Sequence, residues 1–145
     1  MTRLVTPGLW LFAGLNLALA VWMAADPRSF YDTIADFGPY NPHDLRDVAT
    51  WQAAAGLALA GAARWPAWRV PVLAFVAVQS GLHTVNHLAD VGAAATTAMG
   101  VFDVASLALA TAALCALLAA SAGTAAGPRR TALRPRPGRA AEVGR

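Results

Sequence analysis

Histidine and amide side chains recur at helical spacing within one apolar stretch of the chain, around HTVNH at residues 83–87. Gln79, His83 and His87 are spaced i, i+4, i+8, which places them along one side of a helix, and Asn86 lies beside them. Neutral imidazoles at i and i+4 can chelate a transition metal ion, and imidazoles beside carboxylates can also accept protons. Both uses require a helix that holds these groups away from lipid.

The remaining histidine stands in a second polar segment, YNPHDLRD, at residues 40–47. This segment has the composition of a helix N-terminus, with Asn41 as the N-cap and Pro42 at the first helical position, where a missing N–H costs nothing. His43 and Asp47 are spaced i, i+4 and therefore share a helix face. We expect a helix that starts with this polar turn and continues into the apolar run after it.

Long apolar runs surround both polar segments. With 57% hydrophobic and 13% charged residues among 145, the chain is too apolar for an ordinary soluble domain. Four runs approach the roughly 20 residues that a helix needs to cross a bilayer. We therefore predict an all-α integral membrane four-helix bundle in residues 1–121. Its helices are expected at about 8–25, 48–63, 70–88 and 99–120, with an outer loop at 26–47.

The distribution of charge predicts the orientation of these helices. Most arginines fall at the N-terminus, in the second connection and after residue 121, whereas every aspartate falls on the opposite side. By the positive-inside rule both termini are cytoplasmic, and we expect a multi-pass protein of a bacterial inner membrane. Residues 122–145 are rich in Gly, Pro and Arg and are predicted to form a disordered cytoplasmic tail. A cleaved signal peptide is disfavoured, because a cut after Ala25 would put Met23 where a small residue is wanted.

This orientation predicts that the polar residues meet at the outer end of the bundle. The third helix carries its histidines outward, the second helix starts there, and Asp103 lies at a comparable depth on the fourth. Ionisable groups within a membrane usually face other helices and are usually functional. The predicted metal ligands are His43, His83 and His87, and the predicted cluster around them comprises Asn41, Arg46, Asp47, Gln79, Asn86 and Asp103.

The two motifs together resemble a family of small bacterial integral membrane proteins that is loosely DoxX-like. Members carry a Tyr-Asn-x-His-x-x-Arg-Asp stretch, which PYNPHDLRDVA matches from Tyr40 to Asp47, and a paired histidine motif, which HTVNH matches. The likeness covers about residues 8–120 and excludes the tail. The resemblance implies a four-helix membrane fold and supports the motif residues as a site, but it implies no reaction.

Three uses of the cluster stay open. We favour a structural or interaction subunit, in which hydrogen bonds and ion pairs within the cluster lock the packing of the helices. The first alternative is a metal-binding or redox-associated membrane protein, in which the three histidines and a carboxylate from Asp47 or Asp103 hold Zn, Cu or Fe. The second alternative is a binding site for a quinone or another small amphiphile.

Other chemistry finds little support in the sequence. A phosphate-binding glycine loop, a Gly-x-Ser-x-Gly elbow and a Cys–His nucleophile pair are all missing, so we predict no catalytic residues and disfavour an enzyme. The expected partners are the lipid bilayer and either another membrane protein or a second copy, and nucleic acid is not expected. In the outer loop, Phe30, Phe37 and both tyrosines predict an interfacial aromatic anchor or, as the alternative, a lid over the cluster.

Overall fold

The computed structural model describes residues 2–125, and this part of the chain is mainly helical, without β-strands. The five α-helices in it are α1 (Val5–Ala25), α2 (Pro27–Thr33), α3 (Pro42–Arg64), α4 (Arg69–Ala89) and α5 (Thr97–Ala125). Single 3-10 turns at Thr2–Leu4, Pro66–Trp68 and Val91–Ala93 lead into α1, α4 and α5. The start of the predicted tail belongs to α5, and the rest of that prediction lies outside the described residues.

The long helices extend past the ranges predicted from the apolar runs. The largest extension is at α3, which begins at Pro42 instead of near residue 48. The Asn41 side chain accepts a hydrogen bond from the His43 backbone N–H at 3.1 Å, as expected of an N-cap. Helices begin where their terminal N–H groups find such partners, whereas a hydropathy pattern marks only the apolar part of the helix.

The long helices pack as two pairs that share one core. Helix α1 packs mainly along α3, and α4 packs mainly along α5. Leu9, Leu59, Leu73 and Leu114, one from each of these helices, are buried in the common core. Gly56 allows the closest approach, because a Cβ added there would lie 2.7 Å from Cγ of Leu17 on α1.

Hydrogen bonds between polar side chains join the helices away from the predicted cluster. The Ser80 and Thr111 hydroxyls are 2.8 Å apart and connect α4 to α5. At the start of α4, the Arg69 guanidinium donates to Thr6 Oγ1 on α1 at 2.9 Å and to the Ala62 carbonyl on α3 at 3.3 Å. The contacts of Arg69 hold together the end of the molecule that lies opposite α2.

Two segments, Val5–Ala25 and Thr97–Gly123, are long and apolar enough to cross a membrane by length and composition. The other two predicted spans, now α3 and α4, do not pass the same test within the described residues. Their polar residues explain the difference, since α3 starts with PHDLRD and α4 carries QSGLHTVNH in its second half. Three of these residues, His83, Asn86 and His87 of α4, also line the candidate site.

Candidate functional site

A cavity of about 510 Å³ lies among the five helices, at the end of the molecule that holds α2. Its wall is mainly apolar, with Leu19 and Met23 contributed by α1 and Leu107 by α5. The polar side chains in the wall are His83, Asn86 and His87 of α4, Asp90 just after it, Gln52 of α3, and Asp103 and Ser106 of α5. The end of the molecule that holds α2 therefore contains a cavity, and its polar side chains do not form a closely packed network.

Helix α4 holds the two histidines side by side in the cavity wall. The ring centroids of His83 and His87 are 4.6 Å apart, with the ring planes at 80°. The edge of the Phe37 ring packs on His87 from the loop after α2, at a centroid distance of 4.9 Å. These contacts restrict the rotation of the His87 ring and keep it against the cavity.

Two of the residues that line this space each contain a buried polar atom without a partner among the described residues. His87 Nδ1 and Asp103 Oδ2 are inaccessible to solvent and have no hydrogen-bond partner among the described residues. Asp103 is only 8% exposed, and the side chain of His87 is close enough to interact electrostatically with its carboxyl group. Buried polar atoms in proteins nearly always have partners, and leaving one without a partner costs roughly 1–3 kcal/mol. The pair is therefore a candidate for contact with the polar part of a ligand.

Helix α2 and the loop after it cover the outer end of the cavity. Asp26 caps α2 by accepting a hydrogen bond from the Ser29 backbone N–H at 3.0 Å, and Pro27 takes the first helical position. Phe30 and Ile34 then point into the cavity wall. This arrangement is the one expected of the lid hypothesis for the outer loop.

The covering loop is attached to the connection between α4 and α5. The backbone N–H of Ala95 donates to the Asp36 carbonyl at 3.1 Å, and Phe37 forms an isolated antiparallel bridge with Ala94. Residues from distant parts of the chain thus meet over the cavity. The backbone bridge holds Phe37 in the position from which its ring contacts His87.

An arginine and two tyrosines order the outer surface of the same loop. The Arg28 guanidinium lies 5.6 Å from the Tyr31 ring centroid and 5.1 Å from the Tyr40 ring centroid, within the range of cation–π attraction. It also forms an ion pair with Asp32 at 2.8 Å, and the hydrogen bond and charge of Asp32 raise the pKa of Arg28. The Tyr31 hydroxyl donates to the carbonyl of Gly38, whose φ of 70° suits glycine.

The structure separates His43 from the other two histidines. The His43 side chain is 81% exposed and pairs with Asp47, as their spacing predicts, at an Nε2–Oδ2 distance of 3.5 Å. Neither residue lines the cavity. In the first turns of α3 the cavity is lined by Leu45, and one step of two residues turns a helix by about 200°, so His43 and Asp47 point away.

The three-histidine metal site is accordingly not formed by the residues that the structure describes. Within residues 2–125, no group of three His, Cys, Asp or Glu side chains is placed to hold a metal ion. Of the predicted ligands, the structure brings together only His83 and His87. The predicted Zn, Cu or Fe site that also used His43 is corrected by this placement.

The other predicted cluster residues divide between the cavity and the surface. Asn86 and Asp103 line the cavity, whereas Asn41 serves as the α3 N-cap and Arg46 is exposed. Gln79 lines a separate surface groove with the aromatic rings of α3 and α4. The predicted stripe splits because eight residues turn a helix about 80° past two full turns, which moves Gln79 away from the face of His87.

Sequence reasoning missed the part of the site that α5 contributes around Asp103. Ser106 and Leu107 follow Asp103 at i+3 and i+4 and line the same cavity. That spacing was the available signal, because it predicts a shared face once Asp103 is assigned to the site. The apolar wall from α1 gave no such signal, since any residue of an apolar helix could have faced the cavity.

No known protein family, curated protein or solved structure matches this chain. The resemblance of its two motifs to the DoxX-like group therefore stays a prediction. The cavity and the surface around it are the features of the molecule that bear on its function.

Proposed function

We propose that this chain is a multi-pass four-helix membrane protein that binds a small amphiphile, with the polar head of the amphiphile at Asp103 and His87. The proposed location is a bacterial inner membrane with both termini in the cytoplasm. The single observation that carries the binding proposal is the cavity of about 510 Å³, because two of its lining residues, His87 and Asp103, have buried polar atoms without a partner within residues 2–125.

The outer surface of α4 supports a membrane environment for helices beyond the two most apolar ones. Phe75, Val78, Leu82 and Val85 lie at i, i+3, i+7 and i+10, and each is more than half exposed. Soluble monomers rarely expose continuous apolar patches of this kind. In lipid the same stripe needs no cover, so we assign α4, and its neighbour α3, to the membrane as well.

The charges support the proposed direction of the bundle. Arg64 and Arg69 lie at the connection between α3 and α4, and Arg3 lies in the turn before α1, so all three share the end opposite α2. Arginine-rich connections stay on the cytoplasmic side. The cavity then lies at the outer face, near the headgroups of the outer leaflet.

The shape and chemistry of the cavity support an amphiphilic ligand. Ligand sites typically have volumes of about 300–1,000 Å³ and apolar walls with a few convergent polar groups. Here the polar groups cluster on α4 and α5, and the walls from α1 and α2 are apolar. A molecule with one polar end and one apolar end matches both parts of this lining.

An amphiphile dissolved in the bilayer would have a short route into the site. Val48 and Phe102 line the cavity, and both are also exposed on the outer surface of the helices. The cavity therefore reaches the lipid-facing surface at these residues. Lateral entry would keep the apolar tail out of water while the head moves towards Asp103.

The structural-subunit hypothesis predicts a different arrangement of the same residues. A cluster that locks helix packing should pair its buried polar atoms with one another, because an unpaired polar group in lipid destabilises the packing. His87 Nδ1 and Asp103 Oδ2 lack such partners among the described residues. This observation favours ligand binding over the packing lock.

Photolabelling of the purified protein in nanodiscs tests the proposal. The probe is a ten-carbon alkyl alcohol that carries a diazirine on its chain. We expect it to label Met23, which lines the cavity and is 1% exposed, as well as the lipid-facing Leu109. The variant Ser106→Trp fills the cavity and should abolish labelling of Met23 while labelling of Leu109 persists.

Circular dichroism of both proteins checks that Ser106→Trp keeps the helical fold. Labelling of Met23 to the same extent in this variant would show that the probe reaches Met23 by another route. Labelling confined to Leu109 and other lipid-facing positions in the unmodified protein would refute the binding proposal.

A further inference from the structure

We infer that the cavity selects amphiphiles whose polar head is a protonated amine, an inference that rests on the proposed function. The ligand class would then be a lipophilic ammonium, held by Asp103 as its counter-ion and by His87 as a second hydrogen-bond acceptor. Three features of the lining, its charge, its unpartnered acceptors and its aromatic rings, point to this head.

The ionisable side chains that line the cavity are two aspartates and two histidines, so the lining is negatively charged when the imidazoles are neutral and the carboxyl groups are ionised. They are Asp90 and Asp103 together with His83 and His87, and no arginine of residues 2–125 is among the lining residues. The whole chain contains no lysine. A carboxylate or phosphate head would therefore meet like charges without a compensating cation, whereas an ammonium supplies the charge that the lining lacks.

A head that donates hydrogen bonds would supply the partners that His87 Nδ1 and Asp103 Oδ2 lack among the described residues. An ionised Asp103 carboxylate is only an acceptor, and His87 Nδ1 is an acceptor when the ring proton is on Nε2. A primary ammonium has three N–H donors and can serve both atoms at once. A quinone head offers only acceptors, and an alcohol offers one donor.

The rings around the cavity also suit a cation. Phe30, Phe37 and Phe102 come from three different parts of the chain and all line the cavity. The faces of aromatic rings attract ammonium groups, and the attraction is larger when the cation has lost its water. Since Asp103 is 8% exposed, a head that reaches it would be largely desolvated.

Competition against the photoreactive alcohol tests the inference. Decylamine, decanol and decanoate have equal chain lengths and differ in the head, and each is titrated over the same range of mole fractions in the nanodisc. We expect decylamine to suppress labelling of Met23 at a concentration at least about tenfold lower than decanol, with decanoate the weakest competitor. Labelling of Leu109 reports any general effect of the amine on the bilayer.

Two variants separate the buried carboxylate from surface charge. Asp103→Asn keeps an acceptor oxygen but loses the charge, so it should remove the advantage of decylamine over decanol, measured relative to the labelling of Met23 that this variant retains. Asp47→Asn loses the same charge from an exposed site on α3 that does not line the cavity, and it should keep the advantage. If Asp103→Asn fails to fold, Asp90→Asn tests the second carboxylate of the lining and should reduce the advantage.

A further competitor identifies the source of the ammonium. Phosphatidylethanolamine carries a primary ammonium on a lipid headgroup, whereas decylamine is a free single-chain amine. Suppression by both assigns a lipid headgroup as a ligand, and suppression by decylamine alone assigns a single-chain amine. Either result supports an ammonium site.

The outcomes distinguish this inference from the proposed function. Equal suppression by decylamine, decanol and decanoate would overturn selection of an ammonium and leave the amphiphile cavity standing. An advantage of decylamine that survives in Asp103→Asn would overturn the assigned counter-ion. If the probe never labels Met23, the proposed function itself fails.

Discussion

Replacing Asp103 by leucine should make the ligand-free protein more stable. Asp103 is buried and its Oδ2 has no hydrogen-bond partner within the described residues, so the folded state contains a polar atom that water would solvate in the unfolded chain. Leucine has a similar size and no polar atoms. The variant Asp103→Leu therefore removes an unfavourable feature of the fold together with the proposed counter-ion.

The expected gain in stability follows from the single Asp103 oxygen that has no hydrogen-bond partner among the described residues. One unpartnered buried acceptor destabilises a fold by roughly 1–3 kcal/mol, so the free energy of unfolding should rise by about that amount in Asp103→Leu. If Asp103 instead belonged to a buried ion pair that locks the helices, removing it would lower the free energy of unfolding by roughly 3–5 kcal/mol. The two accounts differ in sign, which makes the measurement decisive.

The assay is unfolding of the delipidated protein in mixed micelles, with the mole fraction of dodecyl sulfate as the variable and far-ultraviolet circular dichroism as the signal. Asp47→Leu serves as the control, because that exposed carboxylate lies outside the cavity and its loss should change the free energy by about 0.5 kcal/mol or less. A loss of stability in Asp103→Leu, with the control unchanged, would refute the reasoning.

Three further predictions concern the fold, the histidines and the topology. Gly56→Ala should lower the free energy of unfolding by about 1–3 kcal/mol in the same titration, because the added methyl would lie 2.7 Å from an α1 side chain, whereas Gly14→Ala meets open space and should be neutral or slightly stabilising. His87→Ala should weaken probe labelling of the cavity wall several-fold, and His43→Ala should leave it unchanged; equal losses would contradict the placement of the exposed histidine. In a variant that lacks the native cysteine, Thr33→Cys should react with a membrane-impermeant maleimide on intact cells, and protection until lysis would reverse the proposed orientation.

Local hydrogen bonds and the lengths of the apolar runs could be predicted from the sequence because they depend on residues that are close together along the chain. The Asn41 cap, with Pro42 after it, needs only the next turn of the same helix, and the structure shows it as predicted. The existence of the long helices follows in the same way from their apolar runs. The cap also predicts that α3 begins with a polar turn at Pro42, a turn that the hydropathy pattern alone leaves out.

The assembly of the site depends on contacts between distant segments. A sequence gives the angles between residues of one helix, so His83 and His87 were correctly placed together, but it does not give the rotation of that helix against its neighbours. Close packing of Gly56 on α1 sets the rotation of α3 and turns His43 outward. Helix rotation was thus the quantity that the prediction of three converging histidines lacked.

The sequence by itself determined a helical chain with apolar segments of membrane length and two polar segments, because these properties arise from each segment alone. Tertiary structure decided that the end holding α2 encloses a cavity, that the loop carrying Phe37 covers it, and that Asp103, which lines it, has a buried carboxylate oxygen without a partner among the described residues. Those features depend on how helices pair and where their packing leaves space, and such long-range geometry follows from the whole set of contacts at once.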